Sequence, residues 1–211
     1  MQWTLVIPLK PLARAKSRLA ATAGDGLRPG LALAFAQDTV AAAVACPAVR
    51  DVAVVTDDAL ARRELSALGA RVVPDAPGEG LNAALRYGSE AVRAHRPEAA
   101  VAALNADLPA LRPMELARVL DSAALFPRAF LPDSAGIGTT LLTASTGSEL
   151  SPAFGADSRA RHSASGAAEI TVEGVDSVRR DVDTGEDLRA ALALGVGPRT
   201  AEAAARLLIA D

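Results

Sequence analysis

The only two lysines of this chain, Lys10 and Lys16, lie six residues apart in the stretch Pro8-Leu9-Lys10-Pro11-Leu12-Ala13-Arg14-Ala15-Lys16-Ser17-Arg18. Every other cation is one of 20 arginines. Four cations in nine residues, with no acid before Asp25, create a local positive field directly after a hydrophobic run that reads as a first strand. A strand-to-loop element carrying such charges suits a polyphosphate better than a packing role.

Carboxylates that could hold a metal near that phosphate occur twice. The first set is Leu104-Asn105-Ala106-Asp107-Leu108-Pro109, where a strand is expected to end, and the second is Arg180-Asp181-Val182-Asp183-Thr184. In an extended segment Asp181 and Asp183 point the same way, so the two could share a magnesium with Asp107. Asp183 has a second reading, because Thr184 with Asp187 three residues later resembles a capping box, and Asp183 could then merely flank a helix start. With two histidines and one cysteine, Cys46, the chain offers little for a zinc site or a triad hydrolase. Phosphoryl or nucleotidyl transfer needs neither, since an ionised acceptor oxygen requires no base.

Weaker signals lie elsewhere. Phe154-Gly155-Ala156-Asp157-Ser158-Arg159-Ala160-Arg161-His162 places a glycine and two capping residues before a helical stretch with three potential cations. It reads either as an anion site or as an ordinary capped surface helix. Gly138-Thr139-Thr140 offers hydroxyls and amides. Asn82, opening a helix after Gly80, could meet a base or ribose or simply lie in the first turn; Asp57 or Asp58 could cap the helix after the second strand. His95 reads as a partner of a helix C-terminus and Cys46 as a small buried hydrophobe.

The elements that must position these residues follow from periodicity. Strand-length apolar runs occur at 3–9, 52–56, 71–74, 100–104, 129–132, 139–143 and 169–172, with helical patterns at 30–45, 59–68, 81–95 and 112–124. The first half alternates strand and helix, which implies parallel strands, right-handed crossovers and a ligand crevice beyond their carboxyl ends. The second half is less regular and predicts a mixed sheet that closes with helices near 186–194 and 199–209. One α/β domain over 1–211, Rossmann-like with helices on both faces, is expected. A net charge of -3 and 3% aromatics give no footprint for nucleic acid, and no apolar run reaches a membrane span. The reading is a soluble cytoplasmic protein that could form a homodimer.

Together and in this order the motifs resemble the guanylyltransferases of deazaflavin-coenzyme (coenzyme F420) biosynthesis, which join GTP to 2-phospholactate or phosphoenolpyruvate. The resemblance rests on Ile7-Pro8-Leu9-Lys10 with Ala15-Lys16-Ser17-Arg18-Leu19, Gly80-Leu81-Asn82, Asp107-Leu108-Pro109, Gly138-Thr139-Thr140, Phe154-Gly155 with Ser158 and His162, and Asp181-Val182-Asp183-Thr184. It implies a nucleotide-diphospho-sugar transferase type of fold and transfer of GMP to a small phosphorylated three-carbon acid. It implies nucleotide contacts at Pro8, Leu9, Lys10, Lys16 and Asn82, with Lys16, Arg18 and Asp107 catalytic. Asp107, Asp181 and Asp183 would hold Mg2+, and Thr140, Gly155 and Ser158 would take phosphoenolpyruvate. The alternatives are a related transferase using another nucleotide or acceptor, such as 3-phosphoglycerate, and a silent GTP-binding homologue. One departure stands out: the family commonly has glycine where this chain has Asp157, and a carboxylate there is unfavourable beside an anion unless it points away or caps the helix.

Overall fold

The computed structural model describes residues 1–210. Seven strands, β1 (Trp3–Pro8), β2 (Val49–Val55), β3 (Arg71–Val73), β4 (Ala100–Leu104), β5 (Arg128–Pro132), β6 (Thr139–Ala144) and β7 (Ala168–Glu169), form one sheet in the order β3-β2-β1-β4-β6-β5-β7. β3, β2, β1 and β4 are parallel, whereas β6 runs antiparallel to both β4 and β5. This is the mixed sheet that the change of rhythm predicts.

Strand alternation assigns the two faces. Leu5 and Ile7, Val52 and Val54, and Ala102 and Leu104 join a core with α1 (Ala20–Val44), α2 (Ala59–Ala67) and α4 (Pro113–Ala123). Val6, Ala53, Val55, Val101 and Ala103 face the other way, towards α3 (Leu81–His95). On that side Gly88 is required: a Cβ there would meet Val6 and Val55 side-chain carbons at 2.6 Å each. The missing side chain lets α3 lie close on β1 and β2.

The helix predicted over 30–45 begins ten residues earlier, with Pro29 inside it and a break at Gly24, whose φ of 65° and ψ of 165° are not helical. Glycine and proline mask the helical pattern there, because each weakens a helix unless packing holds it. The last strand also shifts, to 168–169 from the expected 169–172. α5 (Ser158–Ala164) and the four-residue α6 (Asp176–Arg179) follow, then α7 (Gly185–Leu194) and α8 (Pro198–Ala210). Among the described residues no helix is long and apolar enough to cross a membrane.

Candidate active site

The lysine-bearing loop leaves β1 and is held by partners from three directions. Leu9 donates its N–H to the Val55 carbonyl at 2.9 Å, and its side chain is buried. Leu12 donates to Asp58 Oδ2 at 2.9 Å, while Asp58 Oδ1 caps α2 through the N–H groups of Leu60 and Ala61. Arg28 reaches the carbonyls of Ala13 (3.1 Å) and Ala15. Asp58 is thus the helix cap that the sequence suggests and also a clamp on the loop. That second role, like that of Arg28, has no signal in local spacing.

Lys16 adopts a left-handed backbone (φ 55°), uncommon for a residue with a side chain. Its Nζ lies between Asp107 Oδ2, in direct contact, and Asp183 Oδ1 at 2.8 Å. Burial alone would lower the lysine pKa, but the two carboxylates outweigh it and hold the ammonium above its ordinary range. Asp183 shows the complement. Burial pushes its carboxyl up, and Lys16, Arg18 and Lys10 together bring it below the ordinary value. Lys10, Arg14 and Arg18 are exposed, so the loop presents three solvent-facing cations around one inward ammonium.

The second carboxylate pair is set by Val182, which is fully buried and donates its N–H to the Asp107 carbonyl at 3.1 Å. With Val182 pointing into the core, Asp181 and Asp183 flank it. The Thr184–Asp187 capping box is present as well and begins α7, so the metal and capping readings describe neighbouring residues and do not compete. Asp181 is pushed up to about 7, first by burial and then by Asp107, Asp183 and Asp133. Among the described residues no three acidic, His or Cys side chains already surround one ion position. Lys16 stands between two of them instead. The donor set nevertheless fits a hard divalent cation, since Asp107 Oδ1 is buried with no hydrogen-bond partner and the carboxylates crowd one another.

Thr140 lies beside this set, because its carbonyl accepts from Asn105 N at 3.0 Å, two residues before Asp107. Its hydroxyl is buried without a partner. Gly155 (φ 112°) and Ser158, 1% exposed, form the neighbouring loop and helix start. Asp157 sits at φ 52°, a conformation that glycine adopts freely and aspartate tolerates, and this accounts for glycine being an alternative there. Its carboxylate makes no capping bond and is exposed to water.

The three potential cations after this loop are committed inside the fold. Arg159 pairs with Glu169 at 2.7 Å and Arg161 binds the Ala156 carbonyl. His162 is fully buried: Nε2 accepts from Ala153 N at 3.0 Å, which leaves the proton on Nδ1 to donate to Thr139 Oγ1 at 2.9 Å. Burial, then Arg128 and Arg161, lower its pKa to about 4, so it is a neutral brace between β6 and the 153–155 loop. The expected cation is therefore corrected. Because the folded pKa lies below the unfolded value near 6.5, this imidazole's share of stability is present above pH 6.5 and is lost as pH falls towards 4, by about 3 kcal/mol. Urea unfolding of His162→Gln at pH 7 and pH 4.5 is expected to show a smaller pH difference than the parent protein; an equal difference would refute it.

Asn82 is placed in the first turn of α3, with its side-chain amide bonded to the backbone of Phe154.

With this geometry in view, relatives can be compared. The phosphoenolpyruvate guanylyltransferase of Streptomyces coelicolor is 78% identical over 210 residues, covering 100% of this chain and 99% of its own length. A nucleotidyl transferase from Methanothermobacter thermautotroptrophicus superimposes with a TM-score of 0.63 at 20% identity, covering 92% of this chain and 97% of that one. Rv0371c from Mycobacterium tuberculosis, solved as a complex with manganese, gives 0.54 at 22% identity, covering 92% and 99%. The structural likenesses establish the nucleotidyltransferase type of fold. Residues 3–209 match the model of the guanylyl transferase CofC-like family, and the chain belongs to that family.

Proposed function

We propose that this protein transfers GMP from GTP to the phosphate of phosphoenolpyruvate, releasing diphosphate, as a cytoplasmic magnesium-dependent enzyme of deazaflavin-coenzyme biosynthesis. The observation that carries the chemistry is the Lys16 ammonium held between Asp107 and Asp183 at the end of β4, with Thr140 alongside. The full-length identity of 78% to a phosphoenolpyruvate guanylyltransferase supports that acceptor over its three-carbon rivals.

In this reading an oxygen of the acceptor phosphate attacks the α phosphorus of GTP in line. One O–P bond forms while the bond to the departing diphosphate breaks. No proton has to be removed, which agrees with a site built from lysine, arginine and aspartate, and with His162 committed elsewhere. Lys10, Lys16 and Arg18 supply positive charge to the triphosphate and to the charge that develops on the leaving group. Asp107, Asp181 and Asp183 would hold Mg2+, which when bound offsets phosphate charge as a Lewis acid. Thr140, Gly155 and Ser158 present a buried hydroxyl, a main chain at positive φ and a helix start to the acceptor.

Diphosphate release with magnesium, each of four nucleoside triphosphates and each of phosphoenolpyruvate, 2-phospholactate and 3-phosphoglycerate tests this. Turnover is expected with GTP and phosphoenolpyruvate. Release with CTP in place of GTP would overturn the nucleotide assignment, and preference for another acid would overturn the acceptor.

A further inference from the structure

The loop that carries Gly155 is gripped by two side chains from different helices. His162 on α5 accepts from Ala153 N at 3.0 Å. Asn82 on α3 takes both main-chain groups of the next residue: Oδ1 accepts from Phe154 N at 2.8 Å, and Nδ2 donates to the Phe154 carbonyl at 3.1 Å. A side-chain amide paired in this way acts as one rung of a β ladder and fixes both the position and the orientation of the peptide it holds. Gly155 follows immediately at φ 112°, and its carbonyl accepts from Ser158 N at 3.2 Å.

The anchor on the Asn82 side is rigid. Ala83, Ala84 and Leu85 are buried directly after it, and Gly88 brings α3 onto Val6 and Val55 of the parallel strands. Asn82 therefore refers the acceptor loop to the half of the sheet that carries the lysine loop. With two of its bonding positions spent on Phe154, its amide is poorly free to read a base.

We infer that Asn82 is a positioning residue for the acceptor, acting through Phe154 and Gly155, and not a contact to guanine. This rests on the reading that the 154–158 loop receives the phosphorylated acid.

Two measurements on Asn82→Ala decide it. Amide hydrogen exchange in the segment 152–158 is expected to quicken about tenfold, with the exchange of β1 and β4 unchanged, while the affinity for a non-hydrolysable GTP analogue stays within about twofold. In steady state, KM for phosphoenolpyruvate is expected to rise about tenfold, with KM for GTP held. Unchanged exchange in 152–158, or a tenfold loss of GTP-analogue affinity with an unchanged acceptor KM, would overturn the inference. If the parent protein fails to use phosphoenolpyruvate, the proposed reaction falls, yet exchange and analogue binding still decide the role of Asn82. Asn82→Asp keeps an oxygen for the Phe154 N–H and loses only the donor, so it serves where the alanine variant folds poorly; the same split, smaller in size, is expected.

Discussion

Replacing Lys16 with alanine is expected to lower kcat/KM for GTP by about 1,000-fold, the scale seen when a group that stabilises transferring phosphate charge is removed. The ammonium is only 11% exposed and has two carboxylate partners, so no neighbour can take over its place. Stability should fall too, for a different reason. Asp107, 19% exposed, loses its partner, whereas Asp183, 51% exposed, is solvated more easily. The cost is on the order of 1–3 kcal/mol, and magnesium is expected to restore more of the melting temperature in the variant than in the parent. Lys16→Gly separates backbone from side chain. At φ 55° glycine removes a penalty of roughly 1 kcal/mol that alanine retains, so the glycine variant should melt higher and remain equally inactive. Turnover of the alanine variant within tenfold of the parent would refute the role of this lysine.

The order of elements was legible because burial imposes a period. Leu81–His95 matches the predicted helix at both ends, and Ala100–Leu104 matches its strand. The candidate site was legible as a cluster where its residues lie close in sequence and share a charge: the lysine loop, Asp107, and the 181–183 pair, which the fold brings together. What escaped were contacts between distant segments. Asn82 and Phe154 are 72 residues apart, and Asp58 and Leu12 are 46 apart. Such bonds join side chain to backbone, which leaves no pattern in residue types. Arg159, Arg161 and His162 show the converse failure, because sequence counts charges but does not show which are already spent. The buried Asp38 in the middle of α1 belongs here as well. It accepts from Thr200 N at 2.7 Å and serves the start of α8, a role that requires the two helices to be packed first.

Asp181→Asn should move stability and activity in opposite directions. In the parent, Asp181 is crowded by burial and by the charges of Asp107, Asp183 and Asp133, with Lys16 acting against them. Removing its charge relieves that repulsion without opening a cavity. A gain of about 1–2 kcal/mol without divalent ions follows, or roughly 2–8 °C for a chain of this length. Turnover is expected to fall at least 100-fold, and the rise in melting temperature on adding magnesium should shrink, because one of the three proposed oxygen ligands is weakened. Lys16→Ala lowers both quantities; Asp181→Asn lowers one and raises the other. A carboxylate kept only to support the fold would destabilise on replacement and leave the magnesium response intact, so thermal melts with and without the ion distinguish the two roles directly. The crowding has a physical reason in the proposed role: Asp107 and Asp183, whose charges push Asp181 up, are the carboxylates that would bind a divalent cation together with it.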